Sequence, residues 1–130
     1  MSEETLNKIL IVDDEEDIRT VASMALEYGG GFTVAQAGNG QQALTQIPIF
    51  KPDIVLLDVM MPGMDGPEVY RLMKLDDYSR TIPVIFMTAK VQPHEVQGYM
   101  ALGAAAVIPK PFEAMQLAAQ VLRIWKENQN

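Results

Sequence analysis

The sequence predicts an α/β fold in which one parallel five-stranded sheet carries helices on both of its faces. First, short apolar runs rich in β-branched residues alternate along the chain with segments whose apolar residues recur at helical spacing. Second, the opening run, Lys8–Val12, is apolar at both side-chain parities, which is typical of a strand buried on both faces. Third, the alternation continues to the end of the chain without a repeat or a long linker, and such alternation favours a parallel sheet.

The first half of the chain predicts two strands and two helices. After the first strand, Ile18–Leu26 places apolar residues at positions i, i+3, i+4, i+7 and i+8, the pattern of an amphipathic helix. Gly29–Gly31 ends this helix, because glycine readily adopts the left-handed conformation common at helix C-termini. Phe32–Ala37 is predicted to be the second strand, and Asn39–Ile47 a short helix that Pro48 terminates.

The second half continues the same alternation. Asp53–Leu57, Ile82–Met87 and Ala105–Ile108 are predicted to be the third, fourth and fifth strands. Pro67 suits the first turn of the third helix. The inward residues of the last three helices are predicted to be Val69, Leu72 and Met73, then Val96, Tyr99 and Met100, and finally Ala118, Val121, Leu122 and Trp125.

Composition and charge argue against several classes of function. The 130 residues predict one domain with a core from about residue 8 to residue 126. The net charge of −7 disfavours binding to nucleic acid, whose phosphates would repel it. The absence of cysteine and the single histidine, His94, argue against thiol catalysis, a Ser–His–Asp triad and soft-metal sites. Short apolar runs and the polar start Met1–Glu4 predict a cytoplasmic protein without a membrane segment or signal peptide.

Polar residues stand at the ends of the predicted strands, where ligands of open α/β sheets bind. Asp13 and Asp14 follow the first strand, Asp58 the third, Thr88 the fourth and Lys110 the fifth. Clustered carboxylates need a shared cation, and oxygen ligands favour Mg²⁺, with Mn²⁺ as a second option. Such a metal, a lysine and a threonine together hold phosphoryl oxygens, and a carboxylate is a nucleophile toward phosphorus. The residues therefore predict phosphoryl chemistry at this edge.

Each of these residues also has a purely structural interpretation. Asp14 is a candidate helix cap, since the run Asp-Glu-Glu-Asp resembles a capping box. Asp58 is a candidate turn residue ahead of Met61–Gly63. Thr88 could be a half-buried strand residue and Lys110 an exposed cation. Their joint occurrence at strand ends, with the charges that phosphoryl chemistry requires, favours the shared site.

Four segments, KILIVDDEEDIR, PDIVLLDVMMPGMDG, PVIFMTA and GAAAVIPKPF, resemble the receiver domain of two-component response regulators. The resemblance covers the chain from about Lys8 to Trp125. It implies a flavodoxin-like, CheY-like three-layer sandwich with strand order 2-1-3-4-5, in agreement with the alternation described above. Because about five residues follow Trp125, we expect residues 1–130 to be a single stand-alone receiver without an output domain.

The resemblance also implies a role for each residue at the strand ends. Asp58 would accept a phosphoryl group, while Thr88 and Lys110 would bind that group. The peptide bond between Lys110 and Pro111 is expected to be cis, which is plausible because proline follows. The implied ligands of Mg²⁺ are Asp13, Asp14, Asp58 and, through its backbone carbonyl, Met60.

A protein of this kind is expected to be a switch and not an enzyme, apart from catalysing its own phosphorylation and slow dephosphorylation. A sensor histidine kinase or a histidine phosphotransfer protein would donate the phosphoryl group. The added charge would shift the surface formed by the fourth helix, fifth strand and fifth helix, which a downstream protein would then bind. A monomer or weak dimer is expected, with no nucleic acid or membrane partner. A relay intermediate and a receiver fragment of a longer regulator stay open as alternatives.

Three positions on the fifth strand depart from the usual receiver pattern. Val107 stands where receivers carry tyrosine or phenylalanine, so the familiar aromatic rotamer switch cannot operate in its usual form. Ala105 and Ala106 replace an acidic pair that contributes to the dimer interface of the transcription-factor branch. That style of dimer is therefore not expected here.

The sequence lacks a residue or a loop that each of two competing functions would need. A phosphatase of the haloacid-dehalogenase type needs a second aspartate as general acid/base where Met60 stands. A flavodoxin-like flavin binder needs a Ser-, Thr- and Gly-rich phosphate loop where the acidic run Asp13–Glu16 stands. The receiver interpretation is therefore preferred to both.

Overall fold

Five parallel strands form one sheet in the computed structural model, which describes residues 5–129. The spatial order is β2-β1-β3-β4-β5, so the predicted order is confirmed. Every predicted strand boundary lies within two residues of the observed one. Met1–Glu4, which entered the signal-peptide argument, lie outside the described residues. The strands are β1 (Lys8–Val12), β2 (Thr33–Ala37), β3 (Ile54–Asp58), β4 (Val84–Thr88) and β5 (Ala106–Pro109).

Helices cover both faces of the sheet, which confirms the three-layer arrangement. One face carries the first and last helices, which pack against each other, and the other face carries the second, third and fourth. Within residues 5–129, no helix combines the length and apolar character that crossing a bilayer requires. The helices are α1 (Glu16–Gly30), α2 (Gly40–Phe50), α3 (Gly66–Lys74), α4 (Pro93–Leu102) and α5 (Ala114–Glu127), with a 3₁₀ turn at Ser79–Thr81.

The central strands are apolar at both parities because each contributes to two cores. Residues of β1, β3 and β4 alternate between the core under α2 and α3 and the core under α1 and α5. The first core takes Leu10, Val12, Val55, Leu57 and Phe86 from the sheet. The second takes Ile9, Ile11, Ile54, Leu56 and Ile85. Packing on both faces fixes the strands, and with them the polar residues at their carboxyl ends.

The sequence predicts where the first two helices end, and one of these two predictions is wrong. Gly31 has a φ of 71° and its N–H donates to the Glu27 carbonyl at 2.9 Å, so the glycine stop of α1 is confirmed. Pro48, predicted to terminate α2, instead lies inside this helix, which continues to Phe50. Proline removes one donor but has a helical φ, and the last turn is held by the Lys51 N–H bond to the carbonyl of Ile47 at 2.9 Å.

Helix α4 is only shallowly packed. None of its side chains is buried, and Met100, predicted to face inward, is 43% exposed. Val96 and Tyr99, the other predicted inward residues, are half-buried. In α1, Val21 likewise lies on the predicted apolar face but is exposed. Apolar spacing predicted the existence of these helices, whereas the depth of burial depends on how much of each helix its neighbours cover.

Candidate functional site

The carboxyl ends of the sheet bring the predicted site residues together. Asp58 and Thr88 are the last residues of β3 and β4, and Asp13 and Lys110 come directly after β1 and β5. The register aligns these ends, because Asp58 pairs with Met87 and Thr88 is the neighbour of the last residue of β5. Asp13, Asp58 and Thr88 are buried, at 0%, 3% and 2% exposure. Parallel pairing thus collects residues that are far apart in sequence.

Lys110 connects two of the carboxylates. Its Nζ lies 2.9 Å from Asp13 Oδ2 and 3.2 Å from Asp58 Oδ1, and it donates a hydrogen bond to each. Glu15 Oε1 lies 3.9 Å from the same nitrogen, on the solvent side of the site. Only 15% of the Lys110 side chain is exposed, so the structural interpretation of Lys110 as an exposed cation is wrong. One ammonium therefore offsets the charge of two buried carboxylates.

The carboxylates of Asp13, Asp14 and Asp58 form a set with the chemistry of a divalent-cation site. One oxygen from each lies within 4.8 Å of the others, and Asp14 is exposed to solvent while its two neighbours are buried. The donor set is all oxygen, which suits a hard cation such as Mg²⁺. Three carboxylates facing one ammonium leave an excess of negative charge, so these residues fit the ion. The backbone carbonyl of Met60 stays a prediction as a further ligand.

Burial and neighbouring charge shift the pKa values in this site. The pKa of Asp58 is raised from 3.8 to about 6, because burial and the negative charge of Asp13 raise it more than Lys110 lowers it. Burial lowers the pKa of Lys110, but its bonds to Asp13 and its proximity to Asp58 outweigh burial and raise the pKa overall. At neutral pH the ammonium is therefore charged, and Asp58 is an ionised carboxylate held at a free-energy cost that a second cation would relieve.

Thr88 and Asp13 are held by local backbone contacts. Thr88 Oγ1 accepts a hydrogen bond from the Lys90 N–H at 3.0 Å, which leaves the hydroxyl proton of Thr88 free to donate. Asp13 Oδ1 accepts from the Glu15 N–H at 2.9 Å. The capping interpretation of Asp14 is wrong, since the residue before α1 is Glu15 and no side chain caps this helix.

A groove of about 530 Å³ gives access to the site from solvent. Its floor contains Asp58, Thr88 and Lys110, and apolar side chains of α1 and of the segment after β5 form one wall. The predicted cis peptide bond between Lys110 and Pro111 lies in this segment and is confirmed. Met60 lines the same groove and is 60% exposed. The groove thus connects the Asp58 carboxylate to solvent.

Two contributors to the site were not predicted. Gly66 lies behind Asp58: its N–H donates to the Val59 carbonyl at 2.9 Å, and a Cβ at this position would lie 2.9 Å from Val59 Cα. Glycine is needed here because the backbone of Gly66 lies against the backbone of Asp58 and Val59. The sequence signal for this role is that Gly66 ends the PDIVLLDVMMPGMDG segment. The sequence indicates Glu15 only as part of an acidic run, and its proximity to Lys110 arises because the segments after β1 and β5 approach each other at the carboxyl edge of the sheet.

The position of the unusual fifth-strand residues agrees with their apolar character. Val107 is half-buried and packs against the core under α2 and α3, together with Tyr99 of α4. Tyr99 in turn lies 5.3 Å from the Phe86 ring, centroid to centroid. Ala105 and Ala106 are half-buried against the opposite core. Val107 therefore packs against the same core as Tyr99, whose aromatic ring comes from α4.

Comparison with known proteins gives one consistent family. The sequence profile of the response regulator receiver domain matches residues 9–122. The phosphate regulon transcriptional regulatory protein PhoB of Pseudomonas aeruginosa is 43% identical over 114 residues, which cover 87% of this chain and 49% of that protein. The DNA-binding response regulator MtrA of Mycolicibacterium smegmatis is 36% identical over 95% of this chain and 52% of its own length. The chain thus spans about half the length of the curated relatives it matches.

Solved structures of similar proteins have the same fold. The chemotaxis protein CheY4 of Vibrio cholerae has a TM-score of 0.84 and 29% identity, over 92% of this chain and 99% of that one. The receiver domain of a signal transduction histidine kinase from Syntrophus aciditrophicus has a TM-score of 0.81 and 32% identity, over 95% and 93% of the two chains.

Proposed function

The chain belongs to the response regulator receiver domain family, whose members are phosphorylation-activated, and we propose that its phospho-acceptor is Asp58. The observation that carries this assignment is the position of Lys110 Nζ, which bridges the buried carboxylates of Asp13 and Asp58 at 2.9 and 3.2 Å. Receiver domains generally bind Mg²⁺ in an acidic pocket, and the ion is proposed to bind Asp13, Asp14, Asp58 and the Met60 carbonyl.

The proposed reaction is a phosphoryl transfer to a carboxylate oxygen. One oxygen of Asp58 attacks the phosphorus of the donor, and the bond from phosphorus to the donor's leaving group breaks as the acyl phosphate forms. Mg²⁺, when bound, offsets the charge of the phosphoryl oxygens. Lys110 donates to one of these oxygens, and Thr88 donates its free hydroxyl proton to another. The ammonium of Lys110 and the hydroxyl of Thr88 then each donate to a negatively charged phosphoryl oxygen.

The proposed output is a change of surface. Phosphorylation adds a charge of about −1.5 to −2 beside Asp58. Thr88 now holds the Lys90 N–H, so a Thr88 hydroxyl that turns toward the phosphoryl group alters the start of the segment leading into α4. Because α4 has no buried side chain, it resists displacement only weakly. The surface formed by α4, β5 and α5 is therefore proposed to be what a downstream protein recognises.

The partners of this switch are proposed by analogy with the family. Receiver domains interact with histidine kinases or histidine phosphotransfer proteins, and either is proposed as the donor here. Relay of the phosphoryl group to a further histidine is a second proposed output, which the same site chemistry supports. The protein is proposed to act in the cytoplasm and to catalyse only its own phosphorylation and slow dephosphorylation. Its stand-alone organisation stays a prediction.

The phosphorylation proposal is tested by the mass of the intact protein after incubation with a small phosphodonor. We expect the wild-type chain to gain one phosphoryl group in the presence of Mg²⁺ and none when the metal is chelated. Asp58→Asn should gain none in either condition. Asp77→Asn is the matched control, since Asp77 is exposed, and it should behave as the wild type does. An equal gain by Asp58→Asn would contradict the assignment.

A further inference from the structure

We infer that Arg19 is a positioning residue for the Mg²⁺ site, in which its guanidinium orients the peptide group between Asp13 and Asp14. Arg19 Nη1 donates to the backbone carbonyl of Asp13 at 2.7 Å. The inference rests on the proposed function, because the ion is the one proposed to bind Asp13 and Asp14. Arg19 acts through these residues, and it makes this bond to a neutral carbonyl and not to a carboxylate.

The second contact of Arg19 ties it to the neighbouring strand. Its Nε donates to Gln36 Oε1 at 3.3 Å, and Gln36 belongs to β2. The guanidinium thus joins the carboxyl ends of β1 and β2 through two donors of its planar fork. A lysine ammonium is a point charge on a flexible stem and does not reproduce that planar geometry.

Gly38 leaves space for the guanidinium. A Cβ at this position would lie 3.2 Å from Arg19 Nη1, which is tighter than ordinary packing, and in van der Waals contact with Arg19 Cζ at 3.6 Å. The Gly38 N–H is meanwhile fixed by Gln42 Oε1 at 2.7 Å. The segment after β2 therefore forms one side of a slot whose occupant is the Arg19 side chain.

The bond to Arg19 completes the hydrogen bonding of Asp13. Its N–H donates to the Ala37 carbonyl, its Oδ1 accepts from Glu15, its Oδ2 accepts from Lys110, and its carbonyl accepts from Arg19. The carbonyl belongs to the peptide group that leads into Asp14, so fixing this oxygen fixes the direction in which Asp14 leaves the strand. Asp14 is the exposed member of the carboxylate set, and Arg19 determines where its side chain starts.

Positioning and simple electrostatics predict opposite results for removal of Arg19. A positive charge beside the site repels Mg²⁺, so its removal would tighten metal binding if charge were its only role. Loss of positioning instead weakens binding, and groups that orient metal ligands typically contribute about 10- to 100-fold in affinity. The sign of the change in Mg²⁺ affinity therefore distinguishes the two roles.

The test is a titration of the phosphate-free protein with Mg²⁺ by calorimetry, accompanied by thermal unfolding without metal. We expect Arg19→Ala to weaken Mg²⁺ binding about tenfold. Arg19→Lys, which keeps the charge, should also weaken it. Gly38→Ala, which keeps every charge and crowds the guanidinium, should produce a smaller weakening in the same direction. Arg123→Ala, at an exposed site on α5, is the control for the loss of one positive charge and should not weaken binding.

The inference is overturned if the Arg19 variants bind Mg²⁺ as tightly as the wild type, or more tightly. If Arg19→Ala does not fold, Arg19→Lys and Gly38→Ala decide the question in the same way. Failure of the wild type to bind Mg²⁺ would instead contradict the proposed function. Wild-type binding with unchanged affinity in the variants would contradict only the role of Arg19.

Discussion

Replacing Lys110 with alanine is expected to slow phosphorylation of Asp58 by a small phosphodonor about 100-fold at saturating Mg²⁺. The ammonium lies 3.2 Å from Asp58 Oδ1, where it is placed to donate to the phosphoryl group as it is transferred. Its removal takes a preorganised positive charge from a mostly buried site, where such charges stabilise a transition state most strongly. The measurement is the rate at which the intact protein gains mass.

Two controls separate this effect from general damage. Lys126→Ala removes the same charge from an exposed position in the last turn of α5 and should leave the rate unchanged. Binding of Mg²⁺ to Lys110→Ala should persist or become tighter, because a competing cation has left the carboxylates. A wild-type rate in Lys110→Ala would show that the ammonium does not assist the transfer.

Asp58→Asn is expected to stabilise the metal-free protein at pH 7–8 by about 3 kcal/mol. Burial and the negative charge of Asp13 outweigh Lys110 and raise the pKa of Asp58 from 3.8 to about 6, so the folded state binds this proton more tightly than the unfolded state does. The wild type should therefore lose stability as the pH rises from about 4 to about 6, and the full cost should persist at higher pH. The asparagine amide of the variant does not ionise, so the variant avoids this loss.

The difference between the two proteins is measured by denaturant unfolding across this pH range without metal. It should be small near pH 4 and reach its maximum above pH 7. Added Mg²⁺ should stabilise the wild type and narrow the gap. A wild type that is the more stable protein at pH 7–8 without metal would contradict this account of the site.

Much of the fold followed from local patterns in the sequence. The apolar parity of Lys8–Val12 predicted a strand buried on both faces, and the structure confirms it because that strand contributes to two cores. The positions of Asp13, Asp58, Thr88 and Lys110 were predictable because the carboxyl ends of parallel strands share one edge of the sheet. Strand order came from the family resemblance, since alternation alone does not specify which strands are neighbours.

The remainder depended on contacts between distant segments. The continuation of α2 through Pro48 depends on packing and on a terminal hydrogen bond from Lys51, which a residue-by-residue stop rule does not include. The shallow burial of Met100 reflects how little of α4 its neighbours cover. The bond from Arg19 to the Asp13 carbonyl involves a backbone atom, and no side-chain pattern in the sequence indicates it.

The central claim is that Asp58 itself carries the phosphoryl group, and chemical trapping of this residue tests it most directly. Borohydride reduces an acyl phosphate to an alcohol with release of phosphate, so a phosphorylated aspartate becomes homoserine. After treatment with a phosphodonor and Mg²⁺, reduction and proteolysis, the account predicts homoserine at position 58 in the peptide mass spectra. Homoserine at position 13 or 14 instead, or at no position in a protein that had gained a phosphoryl group, would contradict the account.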